Sequence, residues 1–548
     1  MGKKSFTLLL LAIVLMLPFA LRDESSILPQ EGQESLIIIT SMNETLRHEF
    51  ARGFREWYFD KTGKYVRVEW RVPGGTRDTM RFLNAAYMGA FRYYWEHELG
   101  KKWTHQSMEA FQDSTIVLPV DPGEDNDREA IRRAYLNSQV SCGIDLVFGG
   151  GKVDIERQVA RGNTQRLAIF QTHPEWFTEE SIPRKLAGNE LWDDEKHWVG
   201  TAISGFGIIY NRDAIKDLNI YKEPAYWEDL ADQKLFGKVA LADTSGGSFS
   251  MIFEIIIQQA IWDVYNELKE NLIGTPETGE ILEQKAILLG WERGMKLIQL
   301  IIANGRYFTD SATKPVLDVA SGDCAVGMAI DFYGYFQENQ LNHRCHSERF
   351  GFTIPITGTA VSPDPIALLR GAPNPELANL FVEYVLSIEG QKLWDFRIGT
   401  PGGPVRYEIN RSPIRKELYS SEYTPYRLNP DYNLYIAAKD FTFRPDWTSS
   451  LYNELRFAIQ AAFEDPHLEQ KNAWASIIKA RKEGRDDQAE AALEILQNVG
   501  SITYSAIISN IKEAMSSIDP LERIQLKAEV TRAFRKQYEQ AQLVAEMR

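Results

Sequence analysis

Cysteine is scarce in this sequence. Its 548 residues include only Cys142, Cys324 and Cys345, and such a small, odd number excludes a fold held together by a disulfide framework. A Cys324–Cys345 bridge in an oxidising compartment stays open. His343 and His346 flank Cys345, but the C-x-x-C spacing that is common in zinc sites is missing. The sequence therefore predicts neither a resident metal nor a cofactor.

Basic residues are outnumbered by acidic residues, and the common enzyme motifs are missing. Lysine and arginine number 61 against 76 aspartate and glutamate residues, which gives a formal net charge of −15. Nucleic acid is disfavoured as a partner because phosphate contacts need a basic face. The P-loop, the dinucleotide fingerprint, the H-E-x-x-H zinc motif and the G-x-S-x-G nucleophile motif are absent. We therefore predict that the protein is not an enzyme. A secreted hydrolase stays an alternative, because sequence cannot place carboxylate pairs in space.

Long hydrophobic runs are absent except at the N-terminus. Residues 6–21 form an apolar run directly behind Lys3 and Lys4, a pattern typical of a secretory signal. Cleavage after Ala20 would put Pro18 where a small residue is usual, so an uncleaved anchor is the alternative. The sequence predicts a signal peptide or signal anchor over residues 1–21.

Short apolar strands that end in polar loops recur along the rest of the chain. Residues 36–40 carry three isoleucines, and a helix with Leu46, Phe50 and Phe54 on one stripe follows them. Similar strands are predicted at residues 144–148, 239–242 and 325–330. Strands that alternate with helices in this way predict an α/β fold.

Two segments depart from this pattern. Residues 86–140 form an aromatic and then acidic insertion between two strands. Residues beyond about 440 carry helical periodicity, and Asp519-Pro520 is a helix start in which aspartate caps and proline takes the first position. Asn374-Pro375 predicts another such start.

Small, donor-rich loops follow the predicted strands. In open α/β sheets ligands bind beyond the carboxyl ends of strands, and a helix N-terminus offers N–H groups to an anion. The qualifying loops are residues 41–43, 73–76, 149–151, 204–207 and 244–248. A tyrosine past an apolar strand can stack on a ligand or donate to it. The predicted ligand-binding residues are Asn43, Gly75, Thr76, Gly150, Ser204, Ser248 and Tyr333.

At these loops the sequence resembles the bacterial extracellular solute-binding proteins of ABC transporters, type II, in the iron(III)- and organophosphate-binding group. The resemblance spans about residues 36–400. It rests on residues 143–151, 198–211, 227–230, 237–239, 326–333, 364–375 and 386–391.

The resemblance implies a two-lobed type II periplasmic binding protein fold with a hinge, extended here by a helical C-terminal region. We expect residues 36–205 and 360–440 to form lobe 1 and residues 206–359 to form lobe 2. We expect residues 441–548 to pack on lobe 1. Such lobes close on a ligand by a hinge motion.

The implied function is that of a periplasmic receptor for an ABC importer. The expected receptor is a monomer that meets the permease subunits, with membrane contact only through an N-terminal anchor. Iron-binding members place two adjacent tyrosines at the site strand and a histidine in the first loop. Here the pair is Phe332-Tyr333, and residues 41–43 contain no histidine. We therefore expect a small phosphate- or carboxylate-bearing anion, with iron(III) as the alternative solute.

Overall fold

The structure is a computed structural model that describes residues 34–244, 247–271, 279–516 and 519–547. The predicted signal segment, residues 1–21, lies outside the described residues. The side chains of Ser248 and Cys345 lie outside them as well.

The strands are short and mostly buried. In chain order they are β1 (Glu34–Thr40), β2 (Val66–Arg71), β3 (Leu146–Phe148), β4 (Thr164–Gln165), β5 (Lys185–Leu186), β6 (Asn189–Glu190), β7 (Trp198–Ser204), β8 (Phe206–Asn211), β9 (Val239–Ala242), β10 (Gly305–Thr309), β11 (Val326–Ile330), β12 (Phe350–Thr353), β13 (Ser362–Leu369) and β14 (Ser412–Pro413).

These strands form two mixed sheets and a small β5–β6 hairpin. Sheet I has the order β14-β7-β13-β3-β1-β2, with β4 paired to β13, and sheet II has the order β10-β9-β11-β8-β12. In sheet I, β2, β1 and β3 are parallel, while β13 is antiparallel to β3 and β7. In sheet II, β9 and β11 are parallel, and β8 is antiparallel to β11. The predicted two-lobed α/β class is confirmed.

Helices cover both sheets and fill the C-terminal region. In chain order the α-helices are α1 (Glu44–Thr62), α2 (Thr76–Tyr93), α3 (His105–Gln112), α4 (Asp127–Asn137), α5 (Lys152–Arg161), α6 (Ile169–Thr172), α7 (Arg212–Asp217), α8 (Gly247–Asn271), α9 (Gly279–Ala303), α10 (Lys314–Ser321), α11 (Asp331–Cys345), α12 (Pro375–Leu386), α13 (Ile388–Asp395), α14 (Leu434–Ala437), α15 (Pro445–Thr448), α16 (Tyr452–Ile459), α17 (His467–Lys482), α18 (Asp486–Leu496), α19 (Tyr504–Ala506), α20 (Lys512–Ser516) and α21 (Pro520–Glu546).

Two buried clusters flank sheet I and define lobe 1. On one face, Phe50 and Phe54 of α1 pack with Phe381 of α12 and Trp394 of α13. On the other face, the predicted insertion supplies the C-terminal part of α2 and all of α3 and α4, whose aromatic side chains share a core with Ile39 of β1. The aromatic residues of the insertion therefore cover a second face of sheet I, so that the sheet is buried on both sides as a parallel sheet requires.

The C-terminal helices pack on lobe 2, which holds sheet II, and not on lobe 1 as the sequence predicted. Their buried side chains belong to one core with β9, α8 and α9. Polar bonds join the same elements: Trp291 Nε1 of α9 donates to the Ile502 carbonyl at 3.1 Å, and Gln299 Nε2 donates to the Leu496 carbonyl at 2.8 Å. The physical reason is that α8 and α9 are apolar on more than one face. Sheet II covers one face, and the C-terminal helices bury the rest.

The two proline-based helix starts are confirmed, but only one asparagine or aspartate caps as expected. Asp519 Oδ1 accepts from the Leu521 N–H at 2.9 Å, at the start of α21. Asn374 precedes Pro375 at the start of α12, yet its side chain donates to the Ser35 carbonyl at 2.8 Å and makes no cap bond.

In the described part of the chain, no helix combines the length and the apolar character that crossing a membrane would take. Cys142 and Cys324 are free cysteines.

Candidate functional site

The two lobes meet where β7 passes into β8. Ser204 ends β7, Gly205 links the strands, and Phe206 begins β8. The register pairs Ile330, the last residue of β11, with Phe206. Because β9 runs parallel to β11, and β1, β2 and β3 run in the same direction as β7, the carboxyl ends of all these strands point toward the crossover. This arrangement places the ligand region of an α/β fold between the lobes, and we call it the interlobe cleft.

The lobe 1 loops converge at this edge. The hydroxyls of Ser41 and Thr76 lie 3.2 Å apart, although their loops follow different strands. Gly150 has a φ of +100°, and a Cβ at that position would lie 3.2 Å from Thr76 Cγ2. Gly75 precedes Thr76 at the start of α2 and has open space where a Cβ would be. The fold therefore brings Gly75, Thr76 and Gly150 together at the ends of β2 and β3, which both pair with β1.

Asn43 lies in the same loop as Ser41 but acts as a helix cap. Its Oδ1 accepts from the Leu46 N–H at 3.1 Å and from the Thr45 hydroxyl at 2.7 Å. This is the normal work of an asparagine at the start of a helix. The residue is exposed, and its role in binding a ligand stays a prediction.

Ser204 presents a buried hydroxyl at the crossover. The residue is 6% exposed, and its Oγ has no hydrogen-bond partner among the described residues. Ser204 pairs with Ser362 across β13, and Asp364 pairs with Ala202. Since alternate residues of a strand share a face, Ser204 and Asp364 lie on the same face of sheet I. An unpaired buried hydroxyl is costly, and a bound ligand would satisfy it.

Asp331 ties the crossover to both lobes. Its Oδ2 accepts from the Gly205 N–H and from the Tyr432 hydroxyl, each at 2.9 Å, and its Oδ1 accepts from the Phe332 N–H at 2.7 Å. Burial raises the pKa of Asp331 to about 7, although these hydrogen bonds act to lower it. Because Asp331 starts α11 in lobe 2 and Tyr432 precedes α14 in lobe 1, this carboxyl group links the two lobes at the crossover.

Tyr333 is the third residue of α11 and follows Phe332, whose ring contacts the arginine of an ion pair. Arg411 and Asp364 form this pair, and the Arg411 guanidinium lies 4.0 Å from the centroid of the Phe332 ring. Burial raises the pKa of the Tyr333 phenol, Asp364 adds to the rise, and Arg411 opposes it. Tyr333 also packs partly against both cores of lobe 2. Tyr333 therefore packs within lobe 2 next to Phe332, and its role in binding a ligand stays a prediction.

The loop after β9 is held by the C-terminal region. The Thr244 N–H donates to Glu464 Oε1 at 2.8 Å, and its carbonyl accepts from Arg456 Nε and Nη2 at 3.0 and 2.7 Å. Burial raises the pKa of Glu464 to about 7. The α8 helix begins just beyond this loop, at Gly247. Because the side chain of Ser248 lies outside the described residues, its place in the site stays a prediction.

Sequence reasoning missed three functional candidates at the cleft. Asp331 follows an apolar strand directly, and the signal that selected Tyr333 could have found it. Arg411 gives no such signal, because its partner Asp364 is 47 residues away in the chain. Tyr432 lies 101 residues from Asp331, and only the tertiary fold brings these two together.

The polar groups at the cleft can bind an anion. Hydroxyls, backbone N–H groups at helix starts and an arginine are groups that bind phosphate or carboxylate. Within the residues that the structure describes, no group of three or more histidine, cysteine, aspartate or glutamate side chains could hold a metal ion.

Comparisons with known proteins point to one family. Residues 169–413 match the family model described as bacterial extracellular solute-binding protein. An uncharacterized protein of Haemophilus influenzae is 25% identical over 251 residues, which cover 45% of this chain and 60% of that protein. The phosphoglycerate transport regulatory protein PgtC of Salmonella typhimurium is 25% identical over 268 residues, which cover 48% of this chain and 55% of PgtC. The chain thus spans little more than half the length of these curated relatives.

Among solved structures, the periplasmic binding protein AfuA from Actinobacillus pleuropneumoniae, with bound fructose-6-phosphate, aligns with a TM-score of 0.45 at 16% identity. The alignment covers 77% of this chain and 99% of AfuA. The family model covers residues 169–413, a little under half of the chain, and its description agrees with the resemblance found in the sequence.

Proposed function

We propose that this protein is an extracellular receptor of an ABC importer that captures a small anionic solute between its lobes and delivers it to the permease subunits. The observation that supports this most directly is the convergence of donor groups at the crossover. Ser41 and Thr76 lie 3.2 Å apart, the buried Ser204 hydroxyl has no partner among the described residues, and Arg411 lies at the same junction.

The solute that best fits these groups carries phosphate as well as carboxylate. Arginine binds both groups with charge-assisted hydrogen bonds, and hydroxyls and helix N-termini add neutral donors. The Salmonella relative PgtC is named as a phosphoglycerate transport regulatory protein, which favours a phosphorylated small acid. The same name favours an alternative output, in which the loaded receptor signals that solute is present and so regulates transport.

Location and assembly follow from the same proposal. The signal predicted over residues 1–21 would direct the chain to the periplasm, with a tether to the inner membrane if the segment is not cleaved. There the receptor acts as a monomer. It presents its closed form to the permease, because a transporter can prefer the closed state.

Binding by the purified full-length chain tests the proposal. We would follow unfolding of the chain with 3-phosphoglycerate, citrate, inorganic phosphate and iron(III) citrate. A ligand at 100 times its Kd adds about 2.7 kcal/mol to the stability of the folded state, so binding of 3-phosphoglycerate should raise the melting temperature. Stabilisation by iron(III) alone would replace the anion by the metal as solute, and turnover of an ester or glycoside panel would favour the hydrolase alternative. No effect of any solute would refute the receptor.

A further inference from the structure

The segment that contains Arg456 lies beyond the residues that match the family model, which end at residue 413. It belongs to the C-terminal region that packs on lobe 2. We propose that Arg456 of this region binds the phosphate group of the solute, so that the C-terminal region supplies a third wall of the interlobe cleft. This inference rests on the proposed function, because it assigns a residue to the same site.

The first observation is where the Arg456 side chain points. Its Nε and Nη2 both donate to the Thr244 carbonyl, at 3.0 and 2.7 Å. Thr244 follows β9 at the carboxyl edge of sheet II, next to the start of α8. The guanidinium therefore lies at the end of sheet II that faces the crossover, and not on the outer surface of the C-terminal helices.

The second observation is that the same segment reaches lobe 1. Asn453, one turn before Arg456 in α16, accepts through Oδ1 from Arg157 Nη2 of α5 at 3.4 Å. Helix α5 follows directly on Gly150 and Gly151, and Gly150 touches Thr76 in the predicted site. The C-terminal region therefore crosses from lobe 2 to the lobe 1 loops at the cleft.

The third observation is a convergence of positive charge on the side chain of Asp154. Arg157 of α5 lies 3.6 Å from Asp154 Oδ1. Burial raises the pKa of Asp154, and the charges of Arg157, Arg456 and Arg77 oppose that rise. These three guanidinium groups come from α5, α16 and α2, and so from both lobes.

A phosphate group matches this environment. It carries a charge of about −1.5 to −2 at neutral pH and offers three strong acceptor oxygens, and arginine presents planar donors that suit it. Arg456 contacts the Thr244 carbonyl, and the Asn453–Arg157 contact places the same helix beside α5, which follows Gly150. A solute that fills the cleft would therefore reach Arg456. Closure of the lobes would then bring all three walls onto one anion.

The test compares two ligands in the wild type and one variant, with two further variants as controls. We would measure the Kd of 3-phosphoglycerate and of glycerate, which lacks the phosphate, for the wild type and for Arg456→Gln. The matched control is Arg481→Gln, because Arg481 also joins the C-terminal region to lobe 2, through Gln233 at 3.4 Å, near the amino end of β9. Arg456→Lys keeps a cation at the site and guards against a variant that fails to fold.

Hydrogen bonds to charged groups contribute about 1.5–3 kcal/mol, which corresponds to roughly 10- to 150-fold in affinity. We expect Arg456→Gln to weaken 3-phosphoglycerate at least about tenfold, with glycerate and the Arg481→Gln control changed less than about threefold, and Arg456→Lys to lie between. Equal losses for both ligands would show that Arg456 only holds the Thr244 loop, and an unchanged Kd would remove it from the site. Either result overturns the inference while leaving the receptor in place. Failure of the wild type to bind any anion would instead refute the proposed function, and this inference with it.

Discussion

The close packing of α8 against α9 predicts both the direction and the size of a change in the free energy of unfolding. A Cβ at Gly290 of α9 would lie 2.3 Å from Ile261 Cα and 2.9 Å from the Ala260 carbonyl oxygen of α8. Carbon atoms in contact normally stay about 3.5–4.0 Å apart, so Gly290→Ala forces the two helix backbones apart by about 1 Å or more. Backbone atoms cannot turn away as a flexible side chain can.

The matched control is the same substitution at an open site. Gly89 lies inside α2 and has no atom within 4 Å of its missing Cβ. Alanine is preferred over glycine in a helix by about 0.5–1 kcal/mol, mainly because it restricts the unfolded chain. We therefore expect Gly89→Ala to stabilise the protein by that amount. Overpacking costs about 1–3 kcal/mol or more, so Gly290→Ala should destabilise it by about 2 kcal/mol after the same helix gain is subtracted.

Urea unfolding followed by circular dichroism and by tryptophan fluorescence measures both effects. Hydrogen exchange should show faster opening of α8 and α9 in Gly290→Ala, and not of sheet I. Because the start of α8 lies at the interlobe cleft, solute binding should weaken as well. A Gly290→Ala protein as stable as Gly89→Ala would refute the close approach of the two helices.

Three further predictions concern individual polar residues. Burial raises the pKa of Glu254 from 4.5 to about 7, so the folded protein holds a proton that the unfolded chain releases. This group therefore lowers stability by up to about 1.4 kcal/mol per pH unit as the pH rises between those values. Unfolding measured from pH 4.5 to 8 should show a smaller fall in stability for Glu254→Gln than for the wild type, and equal slopes would contradict this. Thr76→Ala combined with Ser248→Ala should weaken solute binding in calorimetry with little change in apo melting temperature, whereas an unchanged Kd would exclude both residues from the site. Tyr432→Phe removes a hydrogen bond that lowers the pKa of Asp331, so carbon NMR of labelled aspartate should show that pKa raised further, and an unaltered titration would argue against the bond.

Much of the local structure is predictable from neighbouring residues. The apolar runs at β1, β9 and β11 form strands, and Asp519 caps α21 as its position before Pro520 indicates. Such features depend on hydrophobic periodicity and on backbone groups within one turn, and both are local in the sequence. The loops that follow the strands were predictable for the same reason.

The sequence predicted contacts within the candidate site only where the order of the strands brings two loops together. Thr76 and Gly150 meet because their strands flank β1 and run parallel to it, which the α/β pattern implies. Asn43 illustrates the limit of this reasoning, since the same residue type suits a helix cap and a ligand site. Local chemistry alone does not separate the two roles.

Only the tertiary structure decided which lobe the C-terminal helices cover. Their apolar faces predict burial but do not name the surface that buries them, because the hydrophobic effect is non-directional. The same holds for Arg411, which meets Asp364 across 47 residues of chain, and for Arg456, which reaches Thr244 across 212. The sequence by itself determined the strands, the loops that follow them and the proline-based helix starts, since these depend on short-range patterns. Long-range ion pairs and the third wall of the cleft depend on how the packed elements meet, and no local pattern encodes that.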